Sequence, residues 1–325
     1  MRVALLPGDG IGPEVAGAAR QVLALLAPDV EVTEHLFGGA AIIAEGTPLP
    51  DETLAACRSA DAVLLGAVGL PQFNAADVRP EQGLLGLRRE LDVYANLRPA
   101  RGQGIDLLVV RELIGGLYFG PRGTREDGTV FDTLEYHPRE VERIARRGFE
   151  LARTRKSRVT SVDKANVIDT SRMWRRVVTE VAADYPDVEL EHVLVDAAAM
   201  FLVQDPGRFD LILTENMFGD ILSDEAAGLS GGLGLAASAS LGDGRPGIFE
   251  PVHGSAPDIA GQGIANPAGM LLSTALLLEH GLGRPEPAHT LQRAVDAALE
   301  QAQTPDLGGT ASTDDVLAAV LAELT

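Results

Sequence analysis

The chain has 325 residues, of which 46% are hydrophobic and 36 are glycine, with one cysteine and a formal net charge of −20. This length allows one large domain or two moderate ones, and the charge argues against nucleic acid or an anionic membrane as a partner. A lone Cys57 excludes an intrachain disulfide, and no apolar run is long enough to span a membrane. Since the N-terminus reads as a strand rather than a leader, we expect a cytoplasmic protein.

Apolar, strand-like runs alternate with helical runs along the chain. Strands are predicted at 2–7, 61–68, 106–113, 158–165, 190–199 and 209–216, and helices at 13–27, 138–155, 171–185 and 313–324. This alternation predicts an α/β fold with a largely parallel sheet. The glycine-rich segment 230–251 lacks helix signals and is a candidate crossing point between two domains.

The turn after the first strand reads LLPGDGIGPEV and carries Gly8, Gly10 and Gly12. A dinucleotide-binding fingerprint, G-x-G-x-x-G, would need a glycine where Pro13 stands. Proline suits the first turn of a helix, because no N–H is required there. The spacing favours a tight turn between strand and helix, so the main contacts to any dinucleotide are expected elsewhere.

Two aspartates follow the strand at 209–214. Asp220 and Asp224 are four residues apart, so a helix would place both carboxylates on one face. A solvated acidic face is one interpretation. The other is a site for Mg²⁺ or Mn²⁺, which prefer carboxylate oxygens, with Asp196 as a candidate third ligand.

Three arginines are candidate ligands for carboxylates: Arg88 in the run LGLRRELD, Arg98 before a proline, and Arg111 at the end of an apolar strand. Singly, Arg88, Arg98 and Arg111 are typical of surface cations, but a cluster of the three would bind a di- or tricarboxylate through bidentate pairs. Tyr118 is either an ordinary core residue or part of such a site. Lys164 is one of only two lysines among 27 basic residues, and an amine, unlike a guanidinium, can transfer a proton. Its alternative is a solvated lysine at a strand end.

Nine blocks carry a family resemblance across essentially the whole chain: LLPGDGIGPE, LRRELDVYANLRP, VREL, GGLYFG, SVDKANV, VDAAAM, NMFGDILSD, EPVHGSAPDIAGQGIANP and TPDLGG. In this order they resemble the metal-dependent β-decarboxylating dehydrogenases, the isocitrate and 3-isopropylmalate dehydrogenase family. The resemblance implies a two-domain α/β fold with a large mixed sheet that is not a Rossmann fold. It places the cofactor-side domain at 1–93 and 231–325, and the substrate, metal and dimerisation domain at 94–230.

The resemblance also implies roles for individual residues. Substrate carboxylates would be bound by the three arginines, and the divalent metal by Asp220 and Asp224 with Asp196 of a partner subunit in a homodimer. Lys164, also from the partner, would be the base and Tyr118 the acid. The cofactor would contact the turn after the first strand and the segment 250–267, which contains a histidine. The residues concerned are Ile11, Glu250, His253, Gly254, Ser255, Ala256, Pro257, Asp258, Ile259 and Asn266.

Within the family, the specificity residues resemble those of the isopropylmalate members. Glu81, Leu84 and Leu85, with Val167 of the partner, would surround an isopropyl group, and the two leucines offer nothing to a third carboxylate. Asp258 stands where NADP-dependent relatives have lysine, which implies NAD. The implied reaction is oxidative decarboxylation of 3-isopropylmalate to 4-methyl-2-oxopentanoate and CO₂ in leucine biosynthesis.

Two alternatives remain open from the sequence. One is a tartrate, alkylmalate or homoisocitrate decarboxylating dehydrogenase of broader specificity. The other is a non-catalytic regulatory subunit of isocitrate dehydrogenase, although such subunits typically lose part of the tyrosine, lysine and aspartate set that is present here.

Overall fold

The computed structural model describes residues 1–102, 104–244 and 246–325. Its strands are β1 Arg2–Gly8, β2 Glu31–Glu34, β3 Ala62–Ala67, β4 Ala95–Gly102, β5 Ile105–Glu112, β6 Arg122–Thr124, β7 Val130–Asp132, β8 Arg158–Asp163, β9 Glu189–Leu194, β10 Leu211–Thr214, β11 Ala237–Leu241 and β12 Gly247–Pro251. Its α-helices are α1 Gly12–Leu26, α2 Gly38–Glu45, α3 Asp51–Ser59, α4 Pro80–Glu90, α5 Pro138–Arg153, α6 Asp169–Ala182, α7 Val195–Gln204, α8 Asn216–Leu229, α9 Ala268–Leu276, α10 Pro285–Gln301 and α11 Thr313–Leu324. None of the described helices is both long and apolar enough to cross a membrane.

The described residues form two compact units, Met1–Val93 with Gly231–Thr325, and Tyr94–Ser230. We call them the first and the second unit. In the first unit the strand order is β2-β1-β3-β12-β11. The pairs β1–β2, β1–β3 and β3–β12 are parallel, and β11–β12 is antiparallel.

The second unit has the strand order β4-β5-β10-β8-β9, with β6 and β7 in a separate hairpin. The pair β4–β5 is antiparallel, and the pairs β5–β10, β10–β8 and β8–β9 are parallel. Both units are therefore mixed sheets flanked by helices, which confirms the α/β class with a mixed sheet. The expectation of a largely parallel sheet is confirmed, since three of the four strand pairs described in the main sheet of each unit are parallel and one is antiparallel.

Hydrophobic patterning explains the main elements. All six residues of β3 are buried, as a strand covered on both faces requires. In α5 the buried Val141, Ile144, Ala145 and Phe149 recur at helical spacing, while arginines and glutamates cover the other face. This stripe fixes α5 against the strands of the second unit.

One expectation about element boundaries needs correction. The strand predicted at 190–199 ends at Leu194, because α7 begins at Val195 and carries Asp196 in its first turn. The glycine-rich segment 230–251 contains β11 and β12, paired from Ala237 opposite Pro251 to Ser240 opposite Ile248, and the boundary between the two units lies at its start.

The opening glycine turn is a structural feature of the first unit. Gly8 and Gly10 have φ of +73° and +58°, which favours glycine. A Cβ at Gly10 would overlap the carbonyl oxygen of Ser255, and Ile11 donates its backbone N–H to that oxygen at 2.8 Å. The turn thus packs against the histidine loop, 253–263.

Candidate active site

The carboxyl ends of parallel strands meet at one edge of the second unit. Arg111 lies near the end of β5, Asn216 follows β10, and Lys164 follows β8. Ligand sites in α/β sheets lie at such edges. The sheet therefore gathers at one edge polar side chains that are distant in sequence.

Asp220 is the centre of a cluster in the second unit. Its carboxylate is paired with the guanidinium of Arg111 and lies 3.3 Å from Nη2 of Arg98. The hydroxyl of Tyr118 donates to its other oxygen at 3.1 Å. Two cations and a phenol thus converge on one carboxylate. Gly219 allows the side chain of Arg111 to pass close to α8, because a Cβ at that position would overlap it.

Asp224 lies one helical turn beyond Asp220 on the same face of α8. Its carboxylate accepts from Nη1 of Arg98 at 3.0 Å, and the same nitrogen donates to the hydroxyl of Ser223 at 2.8 Å. Burial raises the pKa of Asp224 above its usual range, although the nearby guanidinium of Arg98 acts in the opposite direction. The predicted pair of carboxylates on one helical face is therefore present, with an arginine beside it.

The environment of Tyr118 keeps its hydroxyl protonated. Burial, followed by the negative charge of Asp220, raises the pKa of Tyr118 above its usual range. The guanidinium of Arg111 lies 5.8 Å from the centre of the tyrosine ring. A phenol held in this way can donate a proton.

Lys164 and Asp196 form a separate ion pair, in which Nζ and Oδ1 are 2.5 Å apart. The lysine lowers the pKa of the aspartate. The Asp196 side chain is 66% exposed and that of Lys164 only 25%, so the carboxylate faces outward. Beside them, the buried Asp163 is held by two hydrogen bonds from Arg175 at 2.8 and 2.9 Å.

Asp220 and Asp224 are the candidate ligands of a divalent metal in this cluster. Asp220 and Asp224 have side chains 35% and 50% exposed, so an ion can reach their oxygens. Within residues 1–102, 104–244 and 246–325, no group of three His, Cys, Asp or Glu side chains is arranged to hold a metal ion. The two carboxylates can provide part of a metal site, whose remaining ligands would have to come from outside this cluster.

In the first unit, α4 carries Arg88 and the predicted specificity residues. Arg88 is buried and donates from Nη2 to Glu250 at 2.7 Å, while its Nε is buried without a hydrogen-bond partner among the described residues. Leu84 and Leu85 are half-buried and Glu81 is exposed. The positions 81, 84, 85 and 88 share one helical face. This face therefore carries the two leucines between Glu81 and the guanidinium of Arg88.

The histidine loop contains a buried polar atom without a partner. Nε2 of His253 is buried and has no hydrogen bond to any described residue, and burial lowers the pKa of this imidazole. A neutral imidazole with a free nitrogen suits a heterocyclic base. Asp258 is exposed. Just beyond the loop, Asn266 donates to the carboxylate of Asp306 at 3.2 Å.

The remaining predicted residues have simple places. Gly254, Pro257 and Asp258 are exposed, Ala256 and Ile259 are half-buried, and Ser255 is buried beside the opening turn. Val167, in the turn after Lys164, is 65% exposed.

Sequence reasoning missed the groups that support the arginines. Asn216 accepts two hydrogen bonds from Arg111, Asn96 accepts one from Arg98, and Tyr136 accepts the backbone N–H of Asn216 at 3.0 Å. Asn96 and Asn216 lie inside the matched blocks YANLRP and NMFGDILSD, so the blocks contained a signal that motif chemistry alone did not interpret.

Comparison with known proteins identifies the family. The model of the isocitrate/isopropylmalate dehydrogenase family matches residues 2–320. The chain belongs to this family. It is 50% identical over 343 aligned positions to 3-isopropylmalate dehydrogenase of Streptococcus pneumoniae, covering 99% of both chains. It is 52% identical to the 3-isopropylmalate dehydrogenase of Deinococcus radiodurans, covering 99% of this chain and 97% of that one.

Solved structures agree with this placement. The crystal structure of isocitrate dehydrogenase from Methylococcus capsulatus superposes with a TM-score of 0.93 at 38% identity, covering 99% of both chains. The predicted resemblance to the isocitrate/isopropylmalate dehydrogenase family, and the predicted fold class, are confirmed.

Proposed function

We propose that this protein catalyses the NAD-dependent oxidative decarboxylation of (2R,3S)-3-isopropylmalate to 4-methyl-2-oxopentanoate and CO₂, a step of leucine biosynthesis. Relatives that are about half identical over nearly the whole chain are named 3-isopropylmalate dehydrogenase. The observation that carries the proposal is the convergence of Arg98, Arg111 and Tyr118 on Asp220. Such a site supplies cations for substrate carboxylates, a proton donor and a metal ligand in one cluster.

Substrate binding is assigned to the arginines. Arg98 and Arg111 present planar donor forks suited to carboxylates, and their side chains are only 11% and 3% exposed. Exclusion of water strengthens such pairs. Arg88 is the third cation assigned to the substrate, and its buried Nε has no hydrogen-bond partner among the described residues.

Asp220 and Asp224 are the proposed ligands of Mg²⁺ or Mn²⁺, with Asp196 of a second copy as the third. The exposed carboxylate of Asp196 supports a role outside its own cluster. A divalent ion bound there would supply Lewis-acid polarisation of the ketone oxygen.

Proton transfers are assigned to Lys164 and Tyr118. Oxidation at the 2-hydroxyl requires a base for its proton, and the amine of Lys164, contributed by the second copy, takes that role. Loss of CO₂ leaves an enolate carbon that needs a proton, and the raised pKa of Tyr118 keeps its hydroxyl protonated until that step.

The cofactor is assigned to the histidine loop. The partnerless Nε2 of His253 would bond to the adenine, and the carboxylate of Asp258 would accept from ribose hydroxyls and repel a 2′-phosphate. NAD, rather than NADP, then accepts the hydride.

A homodimer with shared sites is part of the proposal. Among its described residues the second unit exposes five large apolar side chains, and their exposure supports burial by a second copy. They are Val130, Val167, Met200, Val203 and Ile221. Val167 of the second copy would complete the apolar wall formed by Leu84 and Leu85, with Glu81 at its edge.

A substrate panel tests the function directly. NADH formation is measured with 3-isopropylmalate, isocitrate, homoisocitrate and tartrate, each with Mg²⁺ or Mn²⁺. The highest kcat/KM is expected with 3-isopropylmalate, and other alkylmalates should react more slowly by a factor of about 10–200 per methylene. A higher kcat/KM with isocitrate would overturn the assignment, and no turnover of any substrate would favour a regulatory subunit.

A further inference from the structure

The hydrogen bond from Tyr118 to Asp220 joins two segments that are distant along the chain. Tyr118 lies in the segment 113–120, which we call the tyrosine turn, and Asp220 lies in the first half of α8. The two oxygens are 3.1 Å apart. Since the proposed proton donor must stay at this distance from the proposed metal ligand, the contacts that hold the tyrosine turn against the start of α8 matter to the site.

Tyr136 packs against the backbone of the tyrosine turn. A Cβ at Gly115 would lie 2.6 Å from a carbon of the Tyr136 ring, and a Cβ at Gly116 would lie 2.6 Å from its hydroxyl oxygen. The same ring meets Trp174 of α6 edge-on, with ring centres 5.9 Å apart and planes at 70°. The two glycines therefore let the turn approach a ring that is packed against a helix on another side.

A chain of hydrogen bonds through Tyr136 joins the tyrosine turn to α8. The backbone N–H of Asn216, the first residue of α8, donates to the Tyr136 hydroxyl at 3.0 Å. This hydroxyl is hydrogen-bonded in turn to the carboxyl group of Glu112. Glu112 accepts from the backbone N–H groups of Ile114 at 3.2 Å and Gly115 at 2.9 Å. Loss of the phenol oxygen would interrupt this chain at its centre.

A second connection joins the same two segments. The side-chain nitrogen of Asn216 donates to the carbonyl oxygens of Leu113 at 3.0 Å and Gly115 at 2.9 Å. Because these bonds do not involve Tyr136, loss of its hydroxyl should shift the tyrosine turn without unfolding it.

We propose that Tyr136 is a positioning residue that sets the distance between the Tyr118 hydroxyl and Asp220, by holding the tyrosine turn against the start of α8. The inference rests on the proposed function, because Tyr136 acts through the proton donor Tyr118 and needs no contact with the substrate. A misplacement of about 1 Å can lower a rate by about 10²-fold. Loss of the phenol oxygen should therefore lower kcat while every substrate-binding side chain is retained.

A double-mutant cycle tests whether Tyr136 acts through Tyr118. Tyr136→Phe should lower kcat for 3-isopropylmalate by about tenfold, while KM changes by less than about threefold. In a Tyr118→Phe background, which has no hydroxyl to position, the same substitution should change kcat by less than about twofold. A loss of about tenfold in both backgrounds, or no loss in either, would overturn the proposal.

Tyr185→Phe is the matched control. It removes the hydroxyl of another buried tyrosine of the second unit, whose ring stacks on Phe149 with centres 5.1 Å apart, and it should leave kcat unchanged. Glu112→Gln alters the next link of the hydrogen-bond chain and is the second variant if Tyr136→Phe does not fold. Its effect on kcat should also disappear in the Tyr118→Phe background.

Amide hydrogen exchange provides a measurement that needs no turnover. In Tyr136→Phe, peptides from 113–120 and from the start of α8 should both exchange faster, whereas peptides from α7 should exchange as in the wild type. Faster exchange in only one of the two segments would overturn the proposal whatever the activity. A wild type that fails to oxidise 3-isopropylmalate, yet shows the expected exchange pattern on substitution, would count against the proposed function alone.

Discussion

Complementation between two inactive variants tests whether each active site is built from two subunits. Arg98 belongs to the cluster around Asp220 and Asp224, whereas Lys164 is paired with the outward-facing Asp196. In the proposed dimer, one subunit contributes the first group to a site and its partner contributes the second. Arg98→Ala and Lys164→Ala should each be nearly inactive, since one removes a carboxylate-binding cation and the other removes the base.

The expected recovery follows from dimer symmetry. When equal amounts of the two variants are unfolded and refolded together, about half of the dimers are mixed. One site of each mixed dimer receives both substitutions and the other receives neither, so about a quarter of wild-type activity should return. The assay is NADH formation with 3-isopropylmalate, and mass spectrometry under native conditions measures the mixed fraction.

A matched pair serves as control. Arg98→Ala and Arg111→Ala both alter the same cluster, so every site of their mixed dimers carries one substitution and the mixture should stay inactive. If the mixture of Arg98→Ala with Lys164→Ala also stays inactive while mixed dimers are present, Lys164 serves its own subunit and the shared site is wrong.

Three further outcomes are expected. Asp220→Asn should weaken Mn²⁺ binding in calorimetric titration and slow turnover; activity that survives EDTA would contradict the metal assignment. Replacing Asp258 and Ile259 by Lys and Tyr should shift the ratio of kcat/KM toward NADP, and an unchanged ratio would remove Asp258 from cofactor selection. Burial raises the pKa of Glu112 from 4.5 to about 7, so between these two values the folded protein holds a proton on Glu112 that the unfolded chain has lost. The free energy of unfolding should therefore fall as the pH rises from 4.5 to about 7, by about 3 kcal/mol in total. In urea unfolding, Glu112→Gln should lack this decrease, and an identical pH profile would refute it.

The apolar strands were predictable because their own residues determine them. β3 and β10 are buried runs that each directly follow an aspartate, and a run of this kind is typical of a strand covered on both faces. β4 was not among the predicted strands, since its arginines and Pro99 do not resemble a strand. It is a strand because all eight of its residues pair with β5, from Ala95 opposite Glu112 to Gly102 opposite Ile105.

The same distinction separates the parts of the candidate site. The carboxylates at 220 and 224 share a helical face by spacing alone, so their arrangement was predictable within one helix. The hydrogen bond from Tyr118 to Asp220 joins residues 102 positions apart, and its existence depends on how α8 packs beside the turn that carries Tyr118. Family resemblance supplied the roles of these residues, while spacing alone supplied no contact between them.

Asn96 and Asn216 show why the sequence predicted the charged residues of the site but not the neutral ones that bind them. Asn96 and Asn216 have little intrinsic signal, because amides are common in turns and at helix starts. Their importance comes from what they contact: Asn216 lies 105 residues from Arg111, and Asn96 reaches Arg98 two residues along its own strand. A guanidinium in a buried site needs its inner N–H groups satisfied by an acceptor. The same guanidiniums also pair with Asp220 and Asp224, and only the folded chain brings these neutral and charged acceptors together.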